Sequence, residues 1–222
     1  MIGISRASFH VPRQRLSREL IAQAWGSRAI PGAKAIAGFD EDALTMGYGA
    51  AWALGELSFD RLYFASTSAP FWQRSTASQI AAACDLPASV ATTDFGGSLR
   101  AGTSALHAAF DAVQAGSAAS VAVVASEARD PEPESTEEML FGDAAAAILI
   151  SDRNLAAELI ARVSRYDHFL DEWRRDTDAG VHAFSGRFTT RHGLEENATA
   201  AARELLAQAD ARSEDITLAI LP

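Results

Sequence analysis

The chain of 222 residues carries 19 basic and 29 acidic side chains, a formal net charge of −10, with 48% hydrophobic and 22% charged residues. That balance is globular, long enough for one large domain or two small ones, and its acidity without a basic stripe argues against nucleic-acid binding. No apolar run reaches the ~20 residues of a membrane span, and no positively charged start runs into an apolar stretch, so no secretory signal is expected. The single cysteine, Cys84, excludes an internal disulfide or multi-cysteine zinc site; a cytoplasmic protein is expected.

Strand-like and helix-like segments alternate along the first two thirds. A short apolar run, 1–11, ends at Pro12, and Ser17 with Glu19 close behind starts a helix to Trp25. The Gly-, Ala- and Pro-rich stretch 26–38 reads as a loop, and 40–57 has apolar residues at helical spacing. Arg61 to Ser66 reads as a buried strand, Ser75 to Cys84 as a helix, and Val90 to Phe95 as the next strand. A helix from 101 to 115 follows at once, then the strongly strand-like Ser120 to Ser126. An acidic loop at 130–138 leads into a strand within 141–151. Strand and helix alternating over short connections predict a mixed or parallel sheet covered by helices. Beyond Asp152 the pattern changes. Residues 159–166 read as a strand, 167–191 as irregular, 195–211 as an alanine-rich helix, and 216–221 as one more strand.

Several residues invite chemistry, each beside a structural reading. Cys84 closes a helix before Asp85-Leu86-Pro87 and reads as buried rather than nucleophilic. Ser98 is a candidate nucleophile, although no histidine lies near it in the chain to act as its base. Thr103 and Ser104 suit the first turn of a helix, and His107 reads as a packed helical histidine. Arg100 fits either an ion pair or the recognition of phosphate. His168, His182 and His192 match no compact ligand spacing, so no metal is expected. Asp143 reads as a carboxylate that fixes a turn by accepting backbone N–H bonds.

The stretch from Asp94 to Leu106 (DFGGSLRAGTSAL) resembles the nucleophile elbow of the thiolase superfamily, with its nearest look to 3-hydroxy-3-methylglutaryl-CoA synthases and β-ketoacyl synthase III. Three further segments agree in order: Asp40 to Met46, Phe64 to Ala69, and Phe141 to Ala147. An elbow of this kind turns a strand sharply into a helix and presents one side chain with the N–H groups of the helix start. The resemblance implies an αβαβα layered fold around a mixed five-stranded sheet. Residues 1–151 would be the N-terminal half, with the elbow at 94–106, and 152–222 the beginning of an incomplete second half.

The same resemblance places Leu99 where the family has its cysteine and Thr67 where the synthase branch has its glutamate. The family histidine would follow the segment 216–221. A leucine cannot be acylated and a threonine cannot replace a carboxylate in proton transfer. The function expected is therefore a subunit or fragment of an enzyme acting on acyl-CoA, by acyl transfer or C–C bond formation or cleavage, without a covalent acyl-cysteine. Leu99 would contribute its backbone N–H to an oxyanion hole, while Arg100, Thr67 and Gly97 would contact a coenzyme A thioester, a substrate rather than a bound cofactor. The alternative is a non-catalytic, degenerate thiolase-fold protein that binds acyl-CoA or stabilises an active partner. Expected partners are a second copy or another subunit through the strand 90–95, a second polypeptide carrying the remaining half, and a zinc-ribbon/OB-fold protein. Neither nucleic acid nor membrane is expected.

Overall fold

The computed structural model describes residues 1–55, 57–169, 171–175 and 177–220. They form two compact units, Met1–Glu158 and a second from Leu159 onward.

The first unit opens with β1 (Gly3–His10), β2 (Gln14–Ser17), α1 (Arg18–Trp25), β3 (Ala33–Ile36) and α2 (Ala43–Trp52). It continues through β4 (Arg61–Ala65), α3 (Thr76–Ala83), β5 (Ala91–Phe95), α4 (Ala101–Gln114) and β6 (Ser120–Glu127), and ends with α5 (Thr136–Leu140), β7 (Ala144–Ser151) and β8 (Ala157–Glu158). The main sheet runs β5-β4-β6-β7-β1-β8. β4 pairs in parallel with β5 and β6, whereas β7 is antiparallel to β6 and β1. The mixed five-stranded sheet expected from the sequence is thus present, and the two-residue β8 adds a sixth strand at its far edge.

Local sequence explains where the helices start. Ser17 accepts the Glu19 N–H ahead of α1, and Gly26, at φ 64°, ends that helix in the left-handed conformation. Asp42 and Thr45 form a reciprocal capping box at the start of α2. α2 and α3 cover one face of the sheet: Met46 and Ala50, with Ala77 and Ile80, pack against Leu62 and Phe64 of β4, Ala122 and Val124 of β6, and Ala145, Ala147 and Leu149 of β7. Strand side chains alternate in direction, so Val121, Val123 and Ala125 point to the opposite face. α4 lies there, burying Ala105, Ala109, Phe110 and Val113.

The expected loop at 26–38 contains β3, which pairs antiparallel with β2 in a small separate two-stranded sheet, with α1 between them in the chain. Four residues with a lysine in the middle carry too little apolar periodicity to read as a strand; the two-stranded sheet is anchored by tertiary bonds instead. Lys34 Nζ donates to the Glu138 carbonyl at 2.6 Å, and Asp143 accepts the Ala37 N–H at 2.7 Å. Asp143 therefore fixes the junction before β7, as its turn reading anticipated. The end of the acidic 130–138 loop is also more ordered than expected, because Ser135 accepts the Glu138 N–H and starts α5.

His10 and Glu41 join the end of β1 to the loop before α2, with Nε2 and Oε1 2.7 Å apart. The Gly38 N–H and the His10 bond hold the Glu41 carboxyl below its ordinary range. A folded-state pKa below the unfolded one gives stability present above the unfolded value and lost as pH falls through the folded one. Asp143 has the opposite sign, since burial raises its pKa and its ionisation opposes folding at neutral pH. In urea titrations at about pH 6 and about pH 3, Glu41→Gln is therefore expected to lose less stability on acidification than the wild type. Equal losses in the two proteins would refute this role.

The second unit contains β9 (Glu172–Trp173), β10 (His182–Ala183), the single turn α6 (Gly186–Phe188), a π-helical turn at Thr189–Glu195, and α7 (Glu196–Gln208). β9 and β10 pair, and Trp173 stacks on His182 at 5.5 Å. Arg175 grips Asp178, lowering its carboxyl to about 2. Two expectations are corrected. Residues 159–166 form no strand, and neither do 216–220, whereas residue 221 lies outside the described residues. Both segments are apolar enough for strands, but a strand exists only when a neighbour takes its hydrogen bonds. Ile216, Leu218 and Ile220 are instead exposed.

Candidate functional site

The helices that follow β4 and β5, α3 and α4, lie on opposite faces of the sheet. A crevice opens at the C-terminal ends of neighbouring parallel strands whose connections diverge in this way. The segments 66–68 and 96–100 both lie at that edge. They touch one another: the Ser66 N–H donates to the Phe95 carbonyl at 3.1 Å, and a Cβ on Gly96 would stand 3.4 Å from the Ser66 oxygen.

The elbow is built from backbone. Gly97 takes φ 70°, where a side chain is strained, and redirects the chain from β5 toward α4. Ser98 Oγ accepts the Arg100 N–H at 3.1 Å, and the Ser98 carbonyl accepts the Ala101 N–H at 2.9 Å. Ser98 therefore serves as a turn cap in this structure, and no base is bonded to its hydroxyl among the described residues. Leu99 occupies the apex and is 53% exposed, unusual for an apolar side chain that helps no core. Among the described residues no acceptor takes the Leu99 N–H. Arg100 is exposed at the first position before α4. Thr103 Oγ1 donates to the Arg100 carbonyl, matching its reading as a first-turn residue.

Thr67, the position matched to the family glutamate, follows β4 in the segment that touches the elbow and is bonded to a carboxylate. Its N–H donates to Glu127 Oε1 at 2.7 Å and its Oγ1 to Glu127 Oε2 at 3.0 Å. Ser68 Oγ donates to the same Oε2 at 2.8 Å and accepts the Ala128 N–H at 2.8 Å. Sequence reasoning missed Glu127, which ends β6 just past the segment read as a strand. The available signal was parity, since Glu127 falls on the Val123 and Ala125 face. Asp94, in contrast, turns away from this cluster: it accepts the Ala77 N–H at 2.8 Å and so holds the start of α3.

The remaining candidates lie elsewhere. Cys84 is buried at the end of α3, where desolvation raises its thiol pKa and Asp85 adds to the effect. His107 is half-buried on α4. His168, His182 and His192 belong to the second unit, and among the described residues no three metal-binding side chains converge. β5 forms one edge of the sheet, pairing with β4 alone among the described residues. No described helix is long and apolar enough to cross a membrane.

This arrangement of a mixed sheet with helices on both faces and a glycine elbow into α4 is a thiolase-like fold. The resemblance extends to hydroxymethylglutaryl-CoA synthases. The chain is 31% identical over 185 residues to the enzyme of that name from Thermococcus onnurineus, covering 78% of this chain and 52% of the relative. It is 28% identical over 230 residues to the one from Pyrococcus horikoshii, covering 99% and 65%. The chain thus spans between half and two thirds of the length of these curated relatives. No family model matches it. Among solved structures, an HMG-CoA synthase complexed with CoA superposes with a TM-score of 0.84 at 18% identity, covering 97% of this chain and 58% of that one. The β-ketoacyl-[acyl carrier protein] synthase III from Thermus thermophilus gives 0.84 at 18% identity, covering 97% and 75%.

Proposed function

We propose that the chain is part of a protein acting on coenzyme A thioesters, by acyl transfer or by forming or cleaving a C–C bond, without a covalent acyl-cysteine. The observation that carries this reading is the intact elbow: Gly97 at φ 70°, the unpaired Leu99 N–H and the start of α4 at a crevice between diverging connections. The similarity to HMG-CoA synthases supports the substrate class. In this reading the Leu99 N–H holds the thioester oxygen, Gly97 lets the substrate approach the backbone, Thr67 borders the acyl group, and Arg100 meets a CoA phosphate. No metal or bound cofactor is needed for these roles, and coenzyme A arrives as the substrate.

The partners follow from the same reading. A second copy or another subunit would add to the open β5 edge at 90–95, a second polypeptide would supply the remainder of a two-half fold, and a zinc-ribbon/OB-fold protein would be an accessory. The complex would act in the cytoplasm. The native mass of the assembly that tagged protein draws from its own source tests these assignments together, and a chain recovered alone would refute them.

Acetyl-CoA is expected to bind the full chain saturably in calorimetric titration. Arg100→Ala should weaken it about tenfold, the loss of one charge-assisted bond to phosphate. Intact mass should show no stable acyl adduct on the wild type; an adduct would instead point to Ser98 or Cys84. Absence of binding would refute the reading. The exposed leucine at the apex favours a second one, a non-catalytic thiolase-fold protein that binds acyl-CoA or stabilises a partner. Binding without turnover in the recovered complex would select it.

A further inference from the structure

We propose that Glu127 is the proton-accepting carboxylate of this site, taking over from β6 a role that Thr67 cannot fill from β4. The inference rests on the acyl-CoA reading above and goes beyond it by assigning a residue and a step. Four observations carry it. Parallel register sets Ala65 opposite Ala125, so Thr67 and Glu127 leave the two strands at the same level. Alternation puts the Glu127 side chain on the same face as Ala125. That face is where α4 begins, for a Cβ on Gly102 would lie 3.9 Å from the Ala125 Cβ. Finally, the segment bonded to Glu127 also touches the elbow, through Ser66 against Phe95 and Gly96.

The hydrogen bonds fix the carboxylate without exhausting it. Its two oxygens offer about four acceptor positions, and Thr67 N–H, Thr67 Oγ1 and Ser68 Oγ occupy three. The Ser68 hydroxyl is itself held by the Ala128 N–H, so the cluster is oriented from both strands. Glu127 is half-buried. Glu127 and the start of α4 lie on one face of the sheet, and a carboxylate working with backbone N–H groups of a helix start is the pairing that proton abstraction next to a carbonyl requires. The balance is simple. Glu127 takes a proton from the carbon adjacent to the thioester carbonyl, the C–H electron pair moves into the new C=C bond, and the carbonyl oxygen takes the charge toward the Leu99 N–H. Returning the proton restores both partners.

The test is hydrogen exchange into acetyl-CoA. Full-length chain incubated with acetyl-CoA in heavy water should place deuterium on the acetyl methyl group, read by mass spectrometry. Glu127→Gln should slow this about 100-fold or more. Glu127→Asp should recover part of the rate, because it keeps the carboxylate one methylene shorter. Thr67→Val removes one of the three bonds but leaves the base, so it should cost less than tenfold. If Glu127 only ties the 66–68 segment down, Thr67→Val and Glu127→Gln will instead slow exchange alike. Equal exchange by wild type and Glu127→Gln overturns the proposal, as does acetyl-CoA binding with no exchange. Failure of acetyl-CoA to bind at all overturns the acyl-CoA reading and this inference with it.

Discussion

Phe64→Ala is expected to cost about 3–5 kcal/mol of stability, the usual range for removing a fully buried aromatic ring from a core. Phe64 is the largest side chain with essentially no exposure, at 1%, and lies on β4, the strand between two parallel neighbours. Its ring is enclosed by α2 as well as by the sheet. A Cβ on Gly47 would stand 3.2 Å from Phe64 Cε2 and from Ile80 Cδ1, and 3.3 Å from Val124 Cγ1. A helix pressed this closely on a sheet cannot collapse easily into the space a ring leaves. A domain has only about 5–15 kcal/mol in total, so much of the folded population should be lost. Urea unfolding of wild type and variant measures this through the midpoint, with the slope as a check on two-state behaviour. A loss under about 1 kcal/mol would mean that α2 relaxes into the cavity. The Gly47 contacts give a companion result: Gly47→Ala should be better tolerated in the Phe64→Ala background than in the wild type.

That core was largely legible in the sequence because its elements repeat a pattern. β6 is a continuous apolar run from Val121 to Val124, buried on both faces, α4 buries residues at helical spacing, and Ser17 marks a helix start. Each is a local signal read within a dozen residues. What escaped depended on partners distant in the chain. β3 is held by Glu138 and Asp143, more than a hundred residues away, and nothing in its own four residues announces a strand. The segment 216–220 failed in the other direction. Its apolar sequence suits a strand, yet side-chain type supplies no hydrogen-bond partner, and it remains unpaired among the described residues.

The site divides along the same line. Gly96, Gly97 and Leu99 sit in one run whose strand, turn and helix are all local, so the elbow could be read directly. Glu127 could not, because its importance is a contact across 60 residues with Thr67. A substitution pattern alone describes this chain as missing a cysteine and a glutamate. The hydrogen bonds show that a carboxylate is nonetheless held beside Thr67, supplied by the adjacent strand.

Leu99→Cys should create a thiol that iodoacetamide alkylates about a thousandfold faster than the native Cys84. Two effects act together. The Leu99 side chain is 53% exposed just before α4, and a thiol placed at a helix start is more acidic because the first N–H groups favour the thiolate. Cys84 is 3% exposed, and its burial favours the neutral, unreactive form. Alkylating it requires local opening of the end of α3, and about 4 kcal/mol for that opening alone gives a thousandfold. Time-resolved intact mass of wild type and variant in native buffer, followed by labelling in urea to count both thiols, measures the ratio. Rapid labelling of wild type would mean that α3 frays freely, and slow labelling of Leu99→Cys would mean that the apex is covered in solution. The second result would bear directly on function, since a covered apex cannot present its N–H to a thioester. Fast and selective labelling would instead establish that the elbow still presents its apex to solvent, with leucine where acyl chemistry would need a nucleophile.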